Sequence, residues 1–248
     1  MQRVLWLGIS FGFAALLVLI WKFIASLELL SPLFFPAPDV AWAALVDGIK
    51  NGDLLKNALT SLSRMLVGWL SASLLGVLLG GLIASSSLVR TYCVPLLEYF
   101  RQIPSSAKLP IAIMILGITN EMIVVIIAIG AVWPVLLSTI QGFTSVEPRL
   151  IDAARNLELN RFEMFWKISL PAALPDIFAG LRIGLTISLI LTVVSEMLTG
   201  LGGIGEHLLL SANYYRGPEL YAGIFILSMI GFTCNFLLAS AGRKLLRR

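Results

Sequence analysis

The chain has 248 residues, of which 58% are hydrophobic and only 13% are charged, and its mean hydropathy is +0.92. This composition excludes an ordinary soluble globular domain and predicts an all-α, polytopic membrane protein. The loops between apolar runs are short, so we expect a single transmembrane domain over residues 1–248, without a separate soluble catalytic domain.

The first predicted span covers residues 4–24. It has about 20 residues, aromatic flanks at Trp6 and Trp21 and no small-residue cleavage site, which favours a retained span over a signal peptide. A proline-rich stretch follows, where the chain leaves the membrane.

The second predicted span covers residues 62–83, and small residues recur in it at intervals of four: Gly68, Ala72, Gly76 and Gly80. This row predicts close contact with another helix.

The third and fourth spans are predicted at residues 93–118 and 121–141. Hydropathy alone leaves open whether residues 110–140 hold one span or two, and the polar residues at 117–121 favour two. Glu98 and Arg101 fall inside the third span, and their spacing predicts an ion pair. The fifth and sixth spans are predicted at residues 173–198 and 220–239. Six spans place both termini on one side of the membrane.

A polar insert at residues 147–171 separates the fourth and fifth spans, so it must face water. Four apolar residues in it recur with helical spacing: Leu150, Ala153, Ala154 and Leu157. They predict an amphipathic helix that starts at Pro148. Asn160 and Glu163 predict a capping box and a second short helix, ending at Leu170 and Pro171.

Basic residues favour one side of this arrangement. They collect in the insert (Arg149, Arg155, Arg161 and Lys167) and in the tail (Arg243, Lys244, Arg247 and Arg248), whereas the opposite loops clearly hold Lys50, Lys56 and Arg216. Positive charge accumulates on the cytoplasmic side of membrane proteins. We therefore expect the insert and both termini to be cytoplasmic. This preference for the cytoplasmic side explains the net charge of +4 better than binding to a nucleic acid would.

The insert resembles the motif shared by permease subunits of binding-protein-dependent ABC importers, which reads E-A-A, three residues, G, nine residues, I, one residue, L-P. The matching positions are Asp152, Ala153, Ala154, Ile168, Leu170 and Pro171. Asp152 replaces the glutamate conservatively, and Glu158 stands at the glycine position. If that position requires a left-handed conformation, either Glu158 bears a strain of about 1 kcal/mol or the turn has a different shape.

The resemblance implies a type I ABC importer permease (MetI-like) fold with about six transmembrane helices, in the bacterial cytoplasmic (inner) membrane. It also implies that a coupling segment at about residues 145–170 docks on a cytoplasmic ATP-binding subunit. The residues carried over to this role are Leu150, Asp152, Ala153, Ala154, Leu157, Glu158, Leu159, Ile168, Leu170 and Pro171. The runs FRQIP, PVLLSTIQGFTSV, LPAALPDIFAGLRIGL and SEMLTGLGGIG resemble the branch that imports nitrate, sulfonates, taurine and related small solutes.

The partners implied are two ATP-binding subunits, a solute-binding protein on the outer side and a second permease, with a homodimer favoured over a pair of homologues. ATP and Mg belong to the ATP-binding subunits. The chain itself has no P-loop motif, so we expect no cofactor in it and no enzymatic activity of its own.

Gly200, Gly202 and Gly205 satisfy G-x-G-x-x-G, but they follow a membrane helix instead of a strand, which indicates a flexible outer loop. His207 has no evident partner ligands, so we expect no metal site.

Polar residues in the fifth span form the candidate translocation route: Ser188, Thr192, Ser195 and Glu196 share one sector of the helix. An ionisable residue within a span is a pathway candidate, so we predict that this sector lines the route near the outer gate. In the alternative, the hydroxyls bond back to their own helix and Glu196 lies at the membrane interface.

Two rival classes remain. A secondary transporter driven by an ion gradient would favour inverted repeats and a paired acidic site, and neither is evident. A membrane enzyme would need a convergent set of His, Cys or carboxylate groups, which is not seen either. The sequence leaves the solute open among nitrate, sulfonate, taurine, bicarbonate and related small molecules.

Overall fold

The computed structural model describes residues 2–27, 29 and 31–246, and it describes their side chains except those of residues 2–11, 155, 161 and 246. Arg247 and Arg248 of the basic tail therefore lie outside the described residues, as do the side chains of Arg155 and Arg161. Eleven α-helices occur in the described part: α1 (Gln2–Ser26), α2 (Pro38–Lys50), α3 (Asp53–Ala84), α4 (Ser87–Arg101), α5 (Leu109–Leu116), α6 (Asn120–Thr144), α7 (Pro148–Asn156), α8 (Arg161–Met164), α9 (Leu170–Thr199), α10 (Ile204–Asn213) and α11 (Gly217–Leu246).

Four helical stretches are long and apolar enough to cross a membrane: Asp53–Ala84, Asn120–Thr144, Phe162–Thr199 and Gly217–Leu245. Shorter apolar helices at Gly12–Ser26 and Ser105–Leu116 accompany them. The prediction of an all-α, polytopic membrane fold is confirmed. The second span is longer than predicted, since α3 begins at Asp53 and not at residue 62.

The small residues of α3 bring it against α6. Gly68 lies against Ile127, Gly76 against Val135 and Gly80 against Thr139. Residue numbers rise together along the two helices, so α3 and α6 run in the same direction. The predicted close-packing row is confirmed, and all four of its residues are buried.

Because α3 and α6 are parallel, the chain between them must return along the bundle. It does so in two pieces, α4 and α5, joined by a 3₁₀ turn at Ser105–Lys108. The predicted continuous span at 93–118 is therefore wrong. The helix breaks just before Pro104, which has no N–H and disfavours helical geometry in the residue before it. The predicted Glu98–Arg101 ion pair is confirmed, with 2.6 Å between the Arg101 Nε and Glu98 Oε2 atoms.

The helices α9 and α11 complete the bundle. Gly142 of α6 meets Ala173, and Gly180 meets Ser138, so α9 runs antiparallel to α6. Farther along, α11 runs antiparallel to α9, since its Gly242 lies against Phe178. The ends of α3, α6 and α11 and the start of α9 thus share one end of the bundle, which we name the insert end. The opposite end is named the far end.

The far end is built around the glycines at 200–205. The sequence predicts a flexible loop there, and this prediction is wrong. Gly200, Gly202 and Gly203 adopt positive φ angles of 63°, 79° and 109°, which turn the chain tightly into α10. A hydrophobic cluster holds α10 in place, formed by the buried residues Leu45, Leu54, Ala58, Ile204, Leu208 and Ala222.

Two adjacent glycines of α3, Gly80 and Gly81, are expected to respond differently to substitution because only Gly80 packs tightly against α6. A β-carbon at Gly80 would lie 2.7 Å from Thr139 Cβ and 2.8 Å from the Leu136 carbonyl oxygen, whereas one at Gly81 would lie 3.6 Å from the Phe143 ring. We expect Gly80→Ala to lower the free energy of unfolding by about 1–3 kcal/mol through forced separation of the helices. Gly81→Ala, the control, should be neutral or stabilising by up to about 1 kcal/mol. Thermal unfolding of the purified protein in detergent measures both, and equal effects would contradict the packing.

Candidate functional site

The helix α7 presents an exposed apolar surface at the insert end. Ala154 is completely buried and anchors the helix, whereas Ala153 is exposed, Leu150 is 44% exposed and Leu157 is 72% exposed. The predicted apolar face is thus divided into one inward residue and three outward ones. Apolar side chains that stay exposed on a polar, water-facing segment indicate a surface for another protein.

A Schellman motif ends α7. The Leu159 N–H donates to the Ala154 carbonyl oxygen at 3.1 Å, and Glu158 between them adopts φ 53°. This left-handed position is the one that glycine usually fills after a helix. The turn therefore has the shape that a glycine would give, and Glu158 bears a cost of about 1 kcal/mol.

The capping box after this turn is confirmed. The Glu163 N–H donates to Asn160 Oδ1 at 2.8 Å, and the Asn160 N–H donates to Glu163 Oε2 at 3.1 Å. The predicted helix end at Leu170 and Pro171 is wrong, because α8 continues through a π-helical turn at Phe165–Ser169 into α9. Pro171 lies inside this continuous helix, where the π turn passes into α9, and its missing N–H leaves one carbonyl of the preceding turn without a helical donor.

The continuation of α8 connects the insert to two spans. It joins α9 directly through the π turn, along which Ile168 and Leu170 are half-buried. It also contacts α6, because the Phe143 and Phe165 rings stack with centroids 5.6 Å apart. The insert therefore contacts both helices at the insert end. Of the remaining residues assigned to coupling, Leu159 is half-buried, and Asp152 and Pro171 are exposed.

The four residues predicted to line the route lie inside the bundle. Ser188, Thr192, Ser195 and Glu196 are all completely buried. The Ser188 and Thr192 hydroxyls each donate to a carbonyl of their own helix at 2.7 Å, while Ser195 Oγ has no hydrogen-bond partner among the described residues. The structure thus brings all four residues together in the bundle interior, out of contact with solvent. That they line the translocation route stays a prediction.

Glu196 forms a buried ion pair with Arg64 of α3. The Arg64 Nη1 and Glu196 Oε1 atoms are 2.9 Å apart, and the two side chains are 6% and 0% exposed. Removing two charges from water is costly unless each finds partners. Both do so here.

All five N–H groups of the Arg64 guanidinium donate hydrogen bonds. One goes to Glu196, two go to Asn120 Oδ1 at the start of α6, and two go to the carbonyl oxygens of Leu201 and Gly202. A guanidinium has no further donor. Arg64 therefore connects α3, α6, α9 and the glycine turn at one point.

The Glu196 carboxylate is satisfied as well. Besides Arg64, its Oε2 accepts from Ser61 Oγ at 2.8 Å and from the Gly205 N–H at 3.0 Å. Ser61 Oγ in turn accepts from the Ile204 N–H at 2.8 Å. Gly203 packs directly on the carboxyl group, where a side chain would not fit. We name the group Ser61, Arg64, Asn120, Glu196 and the turn 201–205 the far-end clasp.

The sequence interpretation singled out Glu196 but missed Arg64, Ser61 and Asn120 as its partners. Arg64 lies near the predicted start of the second span, where a charge is easily assigned to the membrane surface. One signal was available: a carboxylate deep in an apolar helix requires a cationic partner, and Arg64 is the only arginine in α3.

Residues 72–248 match the family described as "Binding-protein-dependent transport system inner membrane component". The taurine transport system permease protein TauC of Escherichia coli (strain K12) is 31% identical, over 96% of this chain and 88% of the relative. The putative aliphatic sulfonates transport permease protein SsuC of Bacillus subtilis (strain 168) is 30% identical, over 94% and 84%. The nitrate import permease protein NrtB of Leptolyngbya laminosa is 30% identical, over 88% and 80%.

Solved structures show the same fold. An inward-facing MetNI methionine ABC transporter aligns with TM-score 0.61 at 21% identity, covering 78% of this chain and 94% of that one. An amino acid ABC transporter solved with histidines aligns with TM-score 0.60 at 19% identity, covering 82% and 98%. The predicted type I importer permease (MetI-like) fold is confirmed.

The far-end clasp generates a prediction on stability. Arg64→Met leaves the Glu196 carboxylate buried without its cation, and we expect a loss of roughly 3–5 kcal/mol in the free energy of unfolding. The double variant Arg64→Met with Glu196→Met removes both charges and should lose less. Thermal unfolding in detergent compares them, with Arg90→Met as a control at an arginine that forms no ion pair among the described residues. If the double variant lost as much unfolding free energy as Arg64→Met and Glu196→Met lose separately when added together, the coupling between Arg64 and Glu196 would be contradicted.

Proposed function

Because the chain belongs to the family of binding-protein-dependent transport system inner membrane components, we propose that it forms the path of an ATP-driven importer for a small solute. The observation that carries the proposal is identity of about 30% to permeases for taurine, aliphatic sulfonates and nitrate, over 88–96% of this chain. The proposed solute is therefore nitrate, a sulfonate, taurine, bicarbonate or a related small molecule.

The proposed assembly places the insert end in the cytoplasm and the far end outside, with both termini cytoplasmic. Residues 1–248 act as one transmembrane permease domain. Two copies, as a homodimer, enclose the path, and each copy docks one ATP-binding subunit, which binds ATP and Mg. A solute-binding protein delivers the solute at the far end. The excess of basic residues at the insert end supports this orientation.

The proposed coupling runs from the surface of α7 to the spans. Leu150, Ala153 and Leu157 contact the ATP-binding subunit, and Glu158 and Leu159 turn the chain back toward the membrane. The insert continues without a break into α9 and stacks on the end of α6. Closure of the ATP-binding subunits then displaces both helices. ATP shifts the population between inward-open and outward-open arrangements by binding one of them more tightly.

The polar sector of α9 is proposed to line the path in an arrangement other than the present one. Ser188, Thr192, Ser195 and Glu196 lie in the half of α9 nearer the far end and are completely buried. Ser195 Oγ is buried without a hydrogen-bond partner among the described residues, which is costly for a group that serves packing alone. Separation of α9 from α6 would offer these hydroxyls to a polar solute.

The coupling role can be tested at Ala153. Ala153→Asp places a charge in the centre of the exposed apolar surface, so we expect loss of binding to the ATP-binding subunit and of ATP-dependent uptake. Ser87→Asp is the matched control, since it adds the same charge at an exposed position of the insert end on another helix. Co-purification and uptake into proteoliposomes measure the two effects. Uptake that persists without ATP but follows an ion gradient would favour a secondary transporter instead.

The route role can be tested with hydroxyl deletions that leave the ion pair intact. Ser188→Ala and Ser195→Ala remove one oxygen each from the buried sector, and we expect uptake of the transported solute to fall severalfold, with normal assembly. Ser71→Ala serves as the control, because its exposed hydroxyl also donates to its own helix, at 2.8 Å to the Val67 carbonyl oxygen. Unchanged uptake in both sector variants would remove the sector from the path.

A further inference from the structure

A basic cavity opens between α9 and α11 at the insert end. Its volume is about 290 Å³, and Arg182 of α9 and Arg243 of α11 both line it. The remaining wall is apolar and includes Phe178 and Leu238. We propose that this cavity binds the headgroup of an anionic phospholipid through its phosphodiester.

The first argument is the unbalanced charge. The Arg182 Nε atom donates to Asn235 Oδ1 at 2.8 Å, and Arg243 Nη2 donates to Ser240 Oγ at 3.0 Å. Both partners are neutral, and neither arginine forms an ion pair among the described residues. No acidic residue lines the cavity, and the nearby Asp176 accepts a hydrogen bond from Ser145 instead. Two guanidinium groups therefore face one space without a protein counter-charge.

The second argument is the position of Arg182. It is an exposed arginine within a membrane span, where a charge is costly unless it reaches water or an opposite charge. Arg182 lies on the side of α9 that faces α11, twelve residues after the start of α9, whereas Arg243 lies in the last turn of α11 at the insert end. A lipid phosphate at the insert end of the cavity supplies an opposite charge to both guanidinium groups, whose planar shape matches the geometry of a phosphate with two parallel hydrogen bonds.

The third argument is the shape of the wall. A soluble anion requires polar groups on all sides, whereas this cavity offers cations on two helices and hydrocarbon elsewhere. A phospholipid meets both conditions, because its phosphate contacts the arginines and its glycerol and upper acyl carbons contact Phe178 and Leu238. Lys244 lies beside Arg243 in the last turn of α11 and adds positive charge at the same end. Such basic pockets between spans attract anionic headgroups.

The test uses the full-length permease in detergent and native mass spectrometry with added phosphatidylglycerol or phosphatidylcholine. We expect the wild-type protein to retain phosphatidylglycerol over phosphatidylcholine by on the order of tenfold. Arg182→Gln with Arg243→Gln should abolish this preference, and Arg182→Lys with Arg243→Lys should keep most of it. Arg90→Gln is the control for loss of an arginine outside the cavity, because it removes a positive charge from α4 at the same end of the bundle.

Four results would overturn the proposal. The double glutamine variant could keep the preference for phosphatidylglycerol. The wild-type protein could hold both lipids equally, or Arg90→Gln could lose the preference as completely as the double glutamine variant does. Taurine or nitrate at millimolar concentration could displace phosphatidylglycerol from the wild-type protein, which would identify a site for soluble anions. None of these measurements depends on transport or on the ATP-binding subunit, so failure here and failure of the proposed function are distinguishable.

Discussion

The close parallel contact between α3 and α6 determines the course of the chain. Gly68, Gly76 and Gly80 remove the side chains that would hold the two helices apart. Two parallel helices that follow one another in sequence require a return crossing, and α4 and α5 supply it in two pieces. The same contact places Arg64, in the twelfth position of α3, beside the start of α6, where it reaches Asn120. Without this approach, the far-end clasp would lack one of its elements.

The helix α9 is held differently at its two ends. At the far end, Glu196 is fixed by a salt bridge and by hydrogen bonds from α3 and from the glycine turn. At the insert end, α9 is an extension of α8, which carries exposed aromatic residues and the capping box. Charges and hydrogen bonds buried in a low-dielectric interior resist separation more than apolar contacts do. The proposed coupling motion would therefore begin at the insert end, while the clasp would keep α9 and α3 together.

Local patterns in the sequence predicted local structure correctly. The small-residue row of α3 and the Asn160–Glu163 capping box each depend on residues a few positions apart, and both are observed. The motif comparison left two shapes open for the turn at Glu158, and the left-handed one is observed. Partners far apart in sequence were not predicted, since Arg64 and Glu196 are 132 positions apart. The π turn at Phe165–Ser169 was missed because hydrophobic spacing over five residues does not distinguish it from an α-helical turn. The break before Pro104 was missed because hydropathy averages across it.

The π turn has a consequence for the angle at which the permease meets its partner. A π-helical turn contains one residue more than an α-helical turn closed at the same height. Each residue of an α-helix advances the chain by about 100° around the axis. The additional residue therefore rotates α8, and with it Phe162, by about that angle relative to the faces of α9 that pack in the bundle. A single inserted residue thus sets the direction in which α8 and the proposed docking helix α7 face, and its loss would turn both toward a different neighbour.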